Sequence, residues 1–321
     1  MIKKHKEDLF TPDAEFVCIR YLYCSICGGD YSTYLGRRNI YPISLGHEWV
    51  GEVIDFGEKV TTFSIGDLVI SDFNFRCGKC SYCQANQSHL CIRNNDSLFT
   101  NRGFSNYANI HYKYLYHIPI IEWLPRACLI EPLSCVLHAI SMINLSKNEP
   151  LLILGGGSIG MLFCFYLTRV LCFNQVFVCE NNSNRLENLI NNFRIRPCIS
   201  TVANTFDIVI DCSNSIQGCS NALYASKPRG QVCIMSHLYG LNTSFIYEQI
   251  CKKELNAIFP LRNGETQNIK NAMELIQNKW KSSDDNMLEI FNDIELAFKC
   301  KNNSAGNKQI INMVSTIFED E

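Results

Sequence analysis

Apolar and β-branched residues dominate from Glu15 to Tyr23, and shorter runs recur at Trp49–Phe56 and Leu68–Ser71, separated by Gly57, Gly66 and Asp67. Short apolar runs punctuated by glycine and aspartate predict a compact β-rich lobe. From Ala127 to Met142 the pattern lengthens into an apolar, helical stretch. Pro150 to Thr168 is then nineteen residues without a charge, which by length alone suits a membrane span. Its interior argues against one. Gly155-Gly156-Gly157 interrupts the run, and each glycine weakens a helix by about 1 kcal/mol. The better reading is a buried strand at Leu151–Leu154, a glycine turn, and a helix over Ile159–Val170. Further strands are predicted at Val176–Cys179, Phe206–Asp211 and Gln231–Met235, and a helix at Gln267–Lys279. Strands alternating with helical segments imply parallel βαβ units.

Composition narrows the class. A chain of 321 residues suggests two domains, at roughly 150 residues each, and can bury a core without covalent staples. With 47% hydrophobic and 19% charged residues it does not read as disordered. The net charge of −2 gives no footprint for polyanions, so no nucleic-acid partner is expected, and no membrane. The start, Met1 to Asp8, is basic but has no apolar stretch behind it, so no secretory leader is predicted and a cytoplasmic location is expected. The 18 cysteines are then expected as thiols or metal ligands rather than disulfides. Thirteen of them are scattered through apolar stretches and read as small core residues.

The remaining cysteines are not scattered. Cys77, Cys80, Cys83 and Cys91 have the spacing C-x2-C-x2-C-x7-C. That pattern suits a closed tetrahedral zinc loop better than the usual iron–sulfur spacings, or chance clustering. A second set gains force only by combination. Cys27 precedes Gly28-Gly29, His47-Glu48 precedes another apolar strand, and Glu131 is a charge inside an apolar stretch. Thiolate, imidazole and carboxylate together suit a catalytic zinc with one position open.

Gly155-Gly156-Gly157-Ser158-Ile159-Gly160 fits G-x-G-x-x-G between a strand and a helix. In that motif the first glycine (Gly155) turns the chain, the second (Gly157) admits a pyrophosphate, and the third (Gly160) packs helix on strand. Glu180 stands twenty residues past Gly160, at the end of the next strand, where a carboxylate can bond adenosine ribose hydroxyls. It would repel a 2′-phosphate, which favours NAD over NADP. Arg185 keeps NADP open, since it could meet a phosphate or stack on adenine.

These residues resemble the zinc-containing medium-chain alcohol dehydrogenases, most closely the polyol (sorbitol), threonine and cyclitol dehydrogenase branch. Ser25-Ile26-Cys27-Gly28-Gly29-Asp30, Gly46-His47-Glu48 and Leu129-Ile130-Glu131-Pro132-Leu133-Ser134 resemble its zinc-ligand segments, and the cysteine loop resembles its structural zinc lobe. The resemblance implies an α/β protein in three stretches. A GroES-like β-barrel catalytic domain spans 1–136, with its structural zinc loop at 77–91. A Rossmann doubly wound parallel sheet spans 137–261, and 262–321 returns to the catalytic domain. It implies a catalytic zinc on Cys27, His47 and Glu48, with Glu131 beside it as an alternating or water-linked ligand, and a structural zinc on Cys77, Cys80, Cys83 and Cys91. Gly155, Gly157, Ile159, Gly160, Glu180 and Arg185 would meet the dinucleotide. The implied activity is hydride transfer between NAD(H) and a secondary alcohol or ketone of a polyol, cyclitol or sugar derivative, in a homodimer or homotetramer. Two departures stand out. Gly29 replaces the family's hydroxyl residue and Ser32 its relay histidine, so Ser32, Thr33, Tyr34 or water must carry the proton. They also motivate an alternative, a catalytically weak relative that binds dinucleotide and zinc in a regulatory or scaffold role.

Overall fold

The structure, a computed structural model, describes residues 11–38, 43–72, 76–93, 103–118, 122–146, 149–236, 238 and 244–315. The expectation about Met1–Asp8 lies outside them. Among the described residues the chain opens with β1 (Phe16–Ser25), α1 (Gly28–Tyr34), β2 (Glu48–Phe56), β3 (Leu68–Ser71), α2 (Ser81–Gln84), β4 (Tyr107–His111) and β5 (Leu115–His117). Helix α3 (Ile130–Met142) leads into β6 (Leu151–Leu154), α4 (Ser158–Phe165), β7 (Val176–Cys179), α5 (Ser183–Asn192) and β8 (Arg196–Pro197). Then come β9 (Phe206–Asp211), α6 (Ile216–Ala225), β10 (Ser226–Ile234), α7 (Ser244–Lys252) and β11 (Asn256–Ile258). After α8 (Thr266–Lys279), the elements β12 (Leu288–Phe291), α9 (Ile294–Cys300) and β13 (Lys308–Asn312) complete the chain.

Two sheets result. The first has the order β12-β13-β1-β2-β3-β5, with β4 also on β1, and is antiparallel except where β12 meets β13. The C-terminal strands thus rejoin the sheet begun by β1. The second, β11-β10-β9-β6-β7-β8, is parallel throughout. Helices on both faces explain why β6, Leu-Leu-Ile-Leu, is buried at every position. Strand order reverses at β6, so a crevice opens beyond its C-terminal end, and the glycine turn lies there. One hydrophobic core joins the two sheets: Val50, Ile70 and Ile310 of the first pack in the same cluster as α3 and as Leu151 and Ile153 of β6.

Several expectations shift in detail. The helix expected over Ile159–Val170 begins as α4 but ends in a π-helical turn at Tyr166–Val170. There the Thr168 hydroxyl bonds back to the Cys164 carbonyl at 2.7 Å, a contact that loosens helical geometry. The strand expected at Gln231–Met235 is the end of a longer one that starts at Ser226. Cys172 and Cys251 are exposed rather than core residues. Cys172 sits in the left-handed region (φ 58°) just past the π turn, where the chain reverses direction toward β7. No described helix is long and apolar enough to cross a membrane.

Candidate active site and cysteine loop

The site grows from the end of β1. Cys27 caps α1: its sulfur accepts from the Asp30 amide, and an Asp30 carboxylate oxygen accepts from the Cys27 amide, both at 3.1 Å. This is a reciprocal capping box with a thiol in place of the usual hydroxyl. The other Asp30 oxygen accepts from Gly46 N at 3.3 Å and lies 3.8 Å from His47 Nδ1. Buried Asp30 therefore ties the Cys27 segment to Gly46-His47. Sheet register does the rest, because Ser25 pairs with Glu48 and places Cys27 and His47 side by side just beyond the strand ends. The two side chains are hydrogen-bonded to each other.

Glu48 is held from one side. Its Oε2 accepts from Ser25 Oγ at 2.6 Å and from Lys308 Nζ of β13, a lysine with no exposed surface. Glu131 arrives on the first turn of α3, buried, with the Cys135 thiol one turn later 3.5 Å from its Oε1. Two donor groups with ligand atoms all within 4.8 Å result, Cys27–Asp30–His47 and His47–Glu48–Glu131, and His47 belongs to both.

The electrostatics fit a cation at this centre. Burial pushes the Cys27 thiol up to about 11, with the Asp30 charge adding to it. Burial raises the Glu131 carboxyl to about 7, helped by the Glu48 charge and opposed by His47. Burial works against both charges at the other two positions and is outweighed: the Cys27 and Asp30 charges hold His47 well above the usual imidazole range, and Lys308, then His47, hold Glu48 below the usual carboxylate range. Crowded anionic donors raise one another's proton affinity, and a divalent cation among them reverses that. A thiolate, an imidazole and a carboxylate are a donor set suited to zinc.

The second candidate metal site is simpler. Cys77, Cys80, Cys83 and Cys91 converge, with their sulfurs all within 4.8 Å of one another. Cys77 and Cys83 sulfurs are 4.0 Å apart, and Cys80 and Cys91 sulfurs 3.9 Å apart. A tetrahedron of thiolates about 2.3 Å from its centre has edges of about 3.8 Å, so the loop fits a closed zinc site. The amide of Cys83 pulls the Cys80 thiol down to about 6, toward the deprotonated form a metal takes.

At the glycine turn, Gly155 has φ +93°, and a Cβ there would lie 2.9 Å from Ser213 Cα. A Cβ on Gly160 would lie 1.9 Å from the Gly155 carbonyl oxygen. The motif's first and third glycines are thus required by conformation and by close packing. Gly157 caps α4 without a side-chain bond, and Ile159 is partly buried against the core. Glu180 accepts from Gly156 N at 2.5 Å and from Asn182 N at 2.7 Å, so its carboxylate lies against the turn. Arg185 instead donates to the Lys301 carbonyl at 2.5 Å. Ser32, buried on α1, accepts from Asn214 Nδ2 at 3.1 Å. Asn214 follows β9 and adjoins the Ser213 that Gly155 packs against, so this bond links the segment carrying the Cys27 donor group to the glycine turn.

Sequence reasoning did not single out Asp30, Ser25, Lys308 or Asn214 as site residues. Asp30 had a local signal, an acidic residue three positions after a helix cap. Lys308 had none, since it meets Glu48 from 260 residues away.

A cluster of metal-type donors where an antiparallel lobe meets a doubly wound parallel sheet defines the class: a medium-chain dehydrogenase fold. Comparisons agree. Residues 13–120 match the alcohol dehydrogenase GroES-like domain. The chain is 28% identical over 263 residues to the sorbitol dehydrogenase of Halalkalibacterium halodurans, covering 77% of each protein. It is 33% identical over 161 residues to the D-arabitol-phosphate dehydrogenase of Enterococcus avium, covering 48% of this chain and 46% of that protein. Galactitol-1-phosphate dehydrogenase from Escherichia coli shares the fold, with a TM-score of 0.78 at 20% identity, over 95% of this chain and 96% of that one. The chain thus carries an alcohol dehydrogenase GroES-like domain over residues 13–120 and, over most of its length, resembles zinc-containing medium-chain alcohol dehydrogenases.

Proposed function

We propose that this protein is a zinc-dependent oxidoreductase that moves a hydride between a nicotinamide dinucleotide and a secondary alcohol or ketone of a polyol, cyclitol or sugar derivative. The observation that carries the reading is the sharing of His47 between a thiolate-containing and a carboxylate-containing donor group, linked through Ser32 and Asn214 to a dinucleotide-type glycine turn. The dehydrogenase names of the relatives favour an enzyme over a binding-only scaffold. NAD is favoured over NADP, since Glu180 lies at the turn and Arg185 is engaged elsewhere. Division at 136/137 and 261/262, two zincs per chain, a cytoplasmic location and a homodimer or homotetramer complete the proposal.

Zinc held by Cys27, His47 and either Glu48 or Glu131 would supply Lewis-acid polarisation of the substrate oxygen, and NAD would take the hydride. The chain's own residues do the rest. Asp30 fixes the approach of Cys27 to His47, while Ser25 and Lys308 both anchor Glu48 through its Oε2. Gly29 has no hydroxyl to pass a proton, and Thr33 Oγ1 donates to the Gly29 carbonyl at 3.0 Å. The Ser32 oxygen accepts from Asn214, which leaves its own proton to be donated onward, so proton release runs through Ser32 or solvent. NADH formation across a polyol and cyclitol panel tests the reading, with and without chelator. Turnover abolished by chelation is the expected result, and turnover indifferent to chelation overturns it.

A further inference from the structure

The returning C-terminal segment crosses the glycine turn through one side chain, Asn307, which is 1% exposed. Its Nδ2 donates to the Gly156 carbonyl at 2.5 Å and to the Arg185 carbonyl at 3.4 Å. Its Oδ1 accepts from Asn188 Nδ2 at 3.2 Å. Its backbone carbonyl accepts from Ser158 Oγ at 3.3 Å, and its amide donates to the Met287 carbonyl at 2.8 Å. Two of these contacts fall on the glycine turn and the start of α4, two on α5, and one on the chain just before β12. Asn307 is thus a hub between the segment that rejoins the first sheet and the phosphate end of the second.

The bond to Gly156 has a directional consequence. In a trans peptide the carbonyl of one residue and the amide of the next point in opposite directions. With the Gly156 carbonyl turned onto Asn307, the Gly157 amide is turned away from it. The Gly156 amide is meanwhile taken by Glu180. Both sides of Gly156 are therefore held, one by the second sheet's carboxylate and one by a side chain from the other lobe.

Resting on the dinucleotide reading above, we infer that Asn307 is a positioning residue for the cofactor's phosphates. It sets the Gly156–Gly157 peptide so that the amides opening α4 face an anion, and it locks the returning segment over them. It touches neither the reacting carbon nor the metal donors.

The test compares wild type with Asn307→Ala and with the isosteric Asn307→Asp, which turns the donor into an acceptor facing the Gly156 carbonyl. Binding of NADH, ADP-ribose and adenosine is measured by fluorescence and calorimetry. The expected result is a Kd for NADH and ADP-ribose raised about tenfold, the scale of one lost internal hydrogen bond, with adenosine affinity unchanged. Half-buried Asn188→Ala, which removes the hold on Oδ1 from α5 together with a bond to the Ala305 carbonyl, is expected to give a two- to threefold effect (on the order of a partial loss) and serves if both Asn307 variants fail to fold. Unchanged NADH affinity overturns the inference. So does a parallel fall in adenosine and NADH affinity, which would make Asn307 a staple of the lobe as a whole. Wild type that binds no NADH would instead sink the dinucleotide reading itself.

Discussion

Lys308 and Glu48 form a fully buried ion pair, and such pairs are more costly to break than to replace. Removing one partner strands a charge in the interior at roughly 3–5 kcal/mol. Lys308→Met is accordingly expected to lower the denaturant midpoint sharply and to reduce bound zinc. The double variant Lys308→Met with Glu48→Gln should recover much of the stability but not the metal, as measured by chemical unfolding and metal analysis on the same samples. The contrast with Cys27 and His47 shows what is legible at this scale. Those two sit in short motifs, each beside glycines, and can be read from neighbours in sequence. Lys308 sits in an ordinary strand, Lys308-Gln309-Ile310-Ile311, and becomes a site residue only because β13 lies beside β1.

Among elements, the strand–turn–helix unit of β6 and α4 was readable because every residue of β6 is apolar and its glycines have sterically enforced positions. Gly160→Ala should cost roughly 1–3 kcal/mol through overpacking against the Gly155 carbonyl. NADH affinity should fall more than stability, since the turn must shift to admit the methyl group; equilibrium unfolding and NADH titration together check this. The joint between α3 and the cysteine loop makes a pH-dependent prediction. His138 of α3 meets His89 edge-to-face, with ring centroids 4.7 Å apart, and burial followed by the His89 charge lowers the His138 imidazole to about 4. An unfolded histidine titrates near 6.5, so between about 6.5 and 4 the unfolded chain binds a proton that the folded chain refuses. Stability therefore falls as pH drops through that window. His138→Gln should flatten the slope in a series of melting temperatures from pH 7.5 to 4.5. The pairing was not legible beforehand, since the two histidines lie in different elements.

At the level of the whole molecule, the cysteine loop is anchored at its far end by buried Ser88 and His89, the latter against His138, while the stretch around α2 has little to hold it except the four sulfurs. Its helix, α2, is four residues long with none buried, so its order should depend on metal. Cys80→Ser is expected to abolish one zinc per chain and expose residues 77–91 to proteolysis. The catalytic zinc should survive, as checked by metal content, limited proteolysis and mass mapping.

Periodicity and glycine placement were enough to establish a β-rich lobe followed by alternating strands and helices, and cysteine spacing was enough to expect four converging sulfurs, because each of these signals lies within a few residues. The family resemblance implied that the polar C-terminal stretch returns to the first lobe; tertiary structure alone decided that β13 pairs with β1 and that Lys308 neutralises Glu48. It also decided that Asn307 and Asn214 link the two lobes beside the glycine turn. Those contacts join side chains far apart in the chain, and neither composition nor period carries information about a partner that only chain topology brings near.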